Sequence, residues 1–189
     1  MSSGDDLDDQ MIVAEVVSGQ KELFRLLVNR HQKKVYGMGL SFFRNADDAS
    51  DFTQEVFLKV YRNLARFEGR SRFSTWLYAI AYNTGVNNVT RRTEYQSLAD
   101  QGSDSLAAAT DTPEQDAVRE AVRTAVLKAV ANLPERYRVC VDLFFFYERS
   151  YQEIEAITGY PVNTIKSHVF RAKKLLRAQL ADLVEGGTA

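Results

Sequence analysis

Between Ala156 and Ala181 every charged side chain is basic: Lys166, Arg171, Lys173, Lys174 and Arg177, with no carboxylate among them. Projected as a helix at about 100° per residue, Val162, Ile165, Val169, Ala172 and Leu176 gather in one narrow arc. Thr164, Lys166, Ser167, Phe170, Arg171 and Lys174 then come to the other side. Ammonium and guanidinium groups suit phosphates, Arg and Lys can also donate to guanine edges, hydroxyls reach bases or phosphates, and a phenyl ring can meet a thymine methyl. His168 falls on the flank, as an ordinary polar position or an auxiliary phosphate contact. A basic amphipathic helix alone is more often just solvated, so the residues in front of it decide. Ser150 is a helix-capping type with Glu153 three positions on, and Ile154 and Ile157 supply an inner face. Gly159 can end that short helix in a left-handed conformation, and Tyr160-Pro161 starts a turn. Helix, tight turn and basic second helix spell a helix-turn-helix, whose second helix enters the major groove of DNA.

Other chemistry is poorly supplied. The single cysteine, Cys140, sits in the apolar stretch Val139 to Phe146 and reads as a small buried hydrophobe. With His31 and His168 as the only histidines, no spacing resembles a metal site. No set of nucleophile, base and orienting group stands out, no glycine-rich phosphate loop is present, and neither an enzyme nor a cofactor is expected. The 24 basic and 25 acidic side chains leave a net charge of -1, so DNA binding must come from local patches and not from a global field. The first residues carry Asp5, Asp6, Asp8 and Asp9 where an export signal would be basic and then apolar, and no apolar run is long enough to span a bilayer. A cytoplasmic protein without membrane insertion is expected.

The elements that must position the basic helix are all helical. Ile12, Val16 and Val17 mark a first helix and Leu23, Phe24, Leu27 and Val28 a second. After the capping types Asn45 and Asp47, the stripe Phe52, Val56, Val60 and Leu64 faces a core. From about Gln96 to Asp116 the character changes: Gly102, Ser103, Ser105, Thr110, Thr112 and Pro113 are turn and linker types, and Asp100, Asp104, Asp111, Glu114 and Asp116 have no basic counterpart. Helical spacing resumes at Val118, Val122, Val126 and Val130 and breaks at Leu133-Pro134. The expected fold is all-α: a helical domain over residues 1–95, a flexible acidic linker over 96–116, and a second helical domain over 117–189 containing the helix-turn-helix.

Three stretches, in this order and spacing, resemble the extracytoplasmic-function (ECF) group of the sigma-70 family of RNA polymerase sigma factors: Asp47 to Leu64 (DDASDFTQEVFLKVYRNL), Phe73 to Arg92 (FSTWLYAIAYNTGVNNVTRR) and Leu133 to Leu176. The resemblance implies binding to core RNA polymerase, recognition of two promoter elements and help in opening DNA. It implies that Asp51, Gln54 and Glu55 hold the clamp helices of the largest polymerase subunit, with the second domain meeting the flap of the second-largest subunit, and that an anti-sigma factor is a partner. It further implies that the second stretch captures the non-template strand at the upstream edge of the bubble. Stacking aromatics and a basic track hold single-stranded DNA, and Phe73, Trp76, Tyr78 and Tyr82 lie near Arg70, Arg72, Arg91 and Arg92. Some of these aromatics must be core, and for Trp76 packing and stacking are equally weighted. Asn83 can pair with a base edge, and the loop Glu68 to Arg72 resembles the pocket for an extruded base. By the same resemblance the acidic linker runs in the RNA exit path. The chain departs from the pattern at Gly85, Asn87 and Asn88, where larger or charged residues are usual, and in the aromatic run Phe144 to Tyr147, either core or a landing site for a partner. Gly85 alone should weaken its helix by about 1 kcal/mol relative to alanine unless packing compensates. The rivals are a sigma-like mimic that sequesters an anti-sigma factor and a stand-alone helix-turn-helix regulator.

Overall fold

Asn45 is an extended residue at the front of a helix, and its side-chain carbonyl accepts from the backbone N–H groups of Asp47 (2.8 Å) and Asp48 (3.1 Å). The helix that follows can therefore begin abruptly, with two acids in its first turn facing the positive end of its dipole. It is the third of eight α-helices in a computed structural model that describes residues 3–96 and 114–185. The others are α1 (Ser3–Ser18), α2 (Phe24–Phe43), α4 (Phe73–Gln96), α5 (Glu114–Ala131), α6 (Glu135–Val141), α7 (Tyr151–Thr158) and α8 (Val162–Glu185), with α3 spanning Ala46–Asn63. No strand occurs among the described residues. The chain divides into two compact units, α1 to α4 together with Ala156–Thr158 at the end of α7 in one and the rest of the elements from α5 onward in the other. Residues 97–113, which hold most of the acidic linker and its Asp100, Asp104 and Asp111, lie outside the described residues. Glu114 and Asp116, assigned to the linker by composition, belong to α5.

In the first unit α3 buries Ala49, Phe52, Val56, Phe57 and Val60 against Leu27, Val35 and Met38 of α2 and Phe73, Leu77, Tyr78 and Ala81 of α4. Each large side chain removed from water contributes about 1.5–3 kcal/mol. Two glycines let the helices approach. A Cβ on Gly39 would lie 2.8 Å from the Phe52 ring and 3.0 Å from the Ala49 backbone; one on Gly85 would lie 2.4–2.7 Å from three atoms of the Phe42 ring. The departure at Gly85 is thus a seat for Phe42, whose ring also neighbours Phe43, Phe52 and Tyr82. The first helix docks through Ile12, Val13 and Val16, while Val17, expected on the same face, is 52% exposed. Asp9, fully buried, accepts from Arg30 (2.8 Å) and pairs with the His31 ring (2.7 Å), so its charge is matched where it is desolvated.

The second unit is centred on Val130, Leu133, Tyr137, Val141 and Ala172, with Val126 and Leu176 packed against them. Val122 shares the helical spacing of that set but is exposed. Between α6 and α7 the chain makes a π-helical turn, Asp142–Phe146, closed by Tyr147 N–H donating to the Asp142 carbonyl (3.1 Å). This turn divides the aromatic run: Tyr147 is buried, Phe144 half-buried, and Phe145 and Phe146 exposed.

Candidate nucleic-acid interface

The helix-turn-helix is built by local chemistry. Ser150 Oγ accepts from Glu153 N–H (3.2 Å) while the Glu153 carboxylate accepts from Ser150 N–H (2.9 Å), a reciprocal capping box that starts α7. Gly159 ends the helix in the left-handed region (φ 74°). After Pro161, α8 begins, and Glu155 Oε1 accepts from the Val162 N–H at 3.1 Å, linking the two helices across the turn. Ile154 and Ile157 of α7 and Ile165, Val169 and Ala172 of α8 are buried.

On the outer side of α8, Lys166, Ser167, Phe170, Arg171 and Lys174 are exposed and Thr164 is half-buried. Phe170 is 71% exposed, the most of any large apolar side chain described. Several of the basic groups rest on rings from other elements. Lys166 Nζ lies 5.8 Å over Tyr151, whose ring stacks on Phe144 (4.9 Å, 11°), and Lys173 Nζ lies 5.2 Å over Phe145. On the other flank, the guanidiniums of Arg171 and Arg136 hold the Tyr137 hydroxyl below the ordinary phenol range, and Arg136 lies 5.0 Å over the Tyr137 ring. His168 sits between Tyr137 (5.2 Å) and Tyr160 (5.6 Å), and desolvation, with Arg136 and Arg171 nearby, lowers its tendency to protonate. Its imidazole is therefore mostly neutral at neutral pH, which argues against its use as a phosphate cation. Cys140 Sγ is 3.7 Å from His168 Nδ1, and burial pushes the thiol up to about 11. The sequence patterns single out neither Arg136, Tyr137 nor Tyr151; an Arg-Tyr pair just past the Leu133-Pro134 break is the available signal.

In the first unit the predicted strand-capture residues separate into two groups. Phe73 is fully buried, with Phe67 edge-on at 5.7 Å and His31 at 5.5 Å, so it offers no face for a base. This corrects its expected role: Phe73 is the core anchor for the start of α4. Tyr78 and Tyr82 are core as well. Trp76 is half-buried, packed on Phe67 (5.4 Å) and Phe73 (6.0 Å) with part of its surface open. Arg70, Arg72, Asn83 and Arg91 are exposed. Arg92 is committed elsewhere: it donates through both terminal nitrogens to Asp48 and lies 5.0 Å over Phe43, clasping α4 to α3 and α2, and the Asp48 carboxyl is lowered chiefly by that hydrogen bond.

Asp51 and Gln54 are exposed on α3 and Glu55 is half-buried. Glu55 accepts from Lys59 (2.7 Å) and from the Asn88 amide (2.8 Å). Burial raises its carboxyl, but Lys59, Asn88 and the charge of Arg91 outweigh that and bring it below its usual value. Asn88, a second departure from the pattern, thus ties α4 to the carboxylate on α3. Among the described residues no cluster of His, Cys, Asp or Glu could hold a metal, and no helix is long and apolar enough to cross a membrane.

Residues 27–94 match sigma-70 region 2 and residues 123–176 match sigma-70 region 4, so the two units carry the two halves of a sigma-70-type factor. The ECF RNA polymerase sigma-E factor of Haemophilus influenzae is 34% identical over 186 residues, covering 94% of this chain and 98% of the relative. The RNA polymerase sigma-H factor of Pseudomonas aeruginosa is 34% identical over 185 residues, covering 93% and 95%. In fold, the chain is similar to the sigma factor RpoE solved in complex with the anti-sigma factor NepR from Bartonella quintana (TM-score 0.70, 23% identity, 84% of this chain and 96% of that one). The chain belongs to the ECF group of the sigma-70 family, whose members are DNA-binding transcription initiation factors and not enzymes.

Proposed function

We propose that the protein joins core RNA polymerase in the cytoplasm and directs it to promoters by reading two elements, the upstream one through α8 and the bubble-edge one through the start of α4 and its preceding loop. The observation that carries this reading is the presence, on one chain, of a capped helix-turn-helix with an outward basic face and a separate helical unit with an exposed Asp51–Gln54 surface on α3. Thr164, Lys166, Ser167, Phe170, Arg171 and Lys174 meet the upstream element. Arg70, Arg72, Asn83 and Arg91, with the open part of Trp76, meet the melted strand, where cationic side chains track phosphates and a ring edge or face meets a base. Arg92 serves that surface indirectly, by fixing α4 against α3. Asp51 and Gln54 meet the clamp helices of the largest polymerase subunit, with Glu55 setting the edge of that patch, and the second unit meets the flap of the second-largest subunit. Bond making in RNA belongs to the polymerase. The capture of a similarly folded sigma factor with an anti-sigma factor supports a partner of that kind here.

The test is reconstitution with core polymerase on a promoter library. Retention of the chain on core and enrichment of a two-part sequence motif are the expected results. Failure to bind core rejects the reading, and core binding without any transcription assigns the chain to the sequestering mimics instead.

A further inference from the structure

We infer that Asn88 is a positioning residue for polymerase binding: from α4, it fixes the Glu55 carboxylate at the edge of the Asp51–Gln54 surface on α3 and so tunes the affinity for the core. The inference rests on the polymerase-binding reading above and extends it to a residue that itself touches no partner.

Glu55 and Lys59 are one turn apart on α3, and Thr84 and Asn88 are one turn apart on α4. The two pairs meet rung by rung. Asn88 Nδ2 donates to Glu55 Oε2 (2.8 Å), Lys59 Nζ donates to Thr84 Oγ1 (3.2 Å), and Lys59 Nζ also reaches Glu55 Oε1 (2.7 Å). These three contacts join the four side chains across the two helices. Thr84 is buried and Asn88 half-buried, whereas the side chains of Glu55 and Lys59 keep 39% and 40% of their surface open. The fixed end of the network therefore lies on α4 and its open end on α3.

An ion pair between neighbours on an open helix face is too weak to hold a long side chain in one rotamer. Lys59 alone would leave Glu55 free to swing. The Asn88 amide supplies a second anchor from another helix: with one carboxylate oxygen bonded to Lys59 and the other to Asn88, both the position and the plane of the group are set. Each oxygen retains a lone pair for a donor arriving from outside. The amide is also neutral, so it bonds the carboxylate without cancelling the charge that suits a basic partner. A group ordered before contact loses less freedom on binding. Asn88 thus differs from Asn83 and Arg91, which are exposed on the same helix: it acts through Glu55.

The experiment titrates core polymerase with the full-length chain and its variants, each first shown to be folded by Trp76 fluorescence in urea. Asn88→Ala should weaken core binding by about two- to tenfold, the cost of ordering one long side chain at the moment of contact. In a Glu55→Ala background the same substitution should change core affinity by less than about twofold, because the group it positions is gone. Asn88→Asp, which keeps the size of asparagine but sets a second carboxylate against Glu55, should bind core no better than Asn88→Ala. At saturating core, Asn88→Ala should keep the wild-type preference among bubble-edge sequences. Equal losses in both backgrounds, an Asn88→Ala or Asn88→Asp protein that binds core as the wild type does, or an altered bubble-edge preference overturns the inference. A wild-type chain that core polymerase does not retain overturns the functional reading itself, which separates the two failures.

Discussion

Replacing Gly85 by alanine sets two effects of opposite sign against each other. In the interior of α4, alanine should be better than glycine by about 1 kcal/mol on backbone entropy alone. The new methyl group, however, would sit 2.4–2.7 Å from three atoms of the Phe42 ring, where carbon atoms normally rest about 3.5–4.0 Å apart. Phe42 has little room to retreat, with the Phe43, Phe52 and Tyr82 rings at 6.1, 6.2 and 6.1 Å. Inserting a methyl into such a contact costs about 1–3 kcal/mol, so Gly85→Ala should be neutral to destabilising by about 2 kcal/mol despite the helix gain. In a Phe42→Leu background the clash is relieved and the same substitution should become stabilising by up to about 1 kcal/mol, a coupling of about 1–3 kcal/mol between the two sites. Trp76 is the only tryptophan and lies in this unit, so its fluorescence in a urea titration follows the unfolding of α1 to α4 alone. A Gly85→Ala protein that is more stable than the wild type, or an effect that is the same in both backgrounds, would refute the packing argument.

The second unit has its own reporter. Cys140 is fully buried with its thiol raised to about 11, so a thiol reagent at pH 8 should label it only when that unit opens; Ser150→Ala, which removes the cap of α7, should cost about 1 kcal/mol and speed labelling about fivefold. Prompt labelling of the wild type would contradict the burial. For Asp48, the carboxyl is held below its unfolded value by Arg92, so the pair's stabilisation is present above about pH 4 and is lost as pH falls through the lower folded value. The groups are part-exposed, so Asp48→Asn should cost under about 1 kcal/mol at pH 7, and the gap between variant and wild-type melting temperatures should close on acidification. A gap that widens in acid would reverse the assigned sign.

The parts of the molecule legible in the sequence are those built by neighbours in the chain. Ser150, Glu153 and Gly159 write the limits of α7 within ten positions, and Asn45 does the same for α3. The stripe Phe52, Val56, Val60 and Leu64 is buried throughout. What escaped were pairings across long sequence separations. Nothing near Gly85 names Phe42, nothing near Asn88 names Glu55, and Arg92 looks like a DNA contact until Asp48, 44 residues away, is seen beneath it. Phe73 illustrates the same limit: a ring among arginines has one composition whether it stacks on a base or plugs a core, and only Phe67 and His31 decide. Arg136, an exposed cation on α6, lies outside the charge pattern read along α8.

The carboxylate of Glu155, bonded to the first N–H of α8, gives the recognition helix a negatively charged tip. A helix start is ordinarily a natural resting place for an anion. Here that berth is taken by the protein's own acid, and a phosphate approaching end-on meets repulsion while one approaching from either side meets lysine or arginine. On the proposed reading of α8, the groove is therefore entered broadside and not nose-first, with Glu155 limiting the approach from the end.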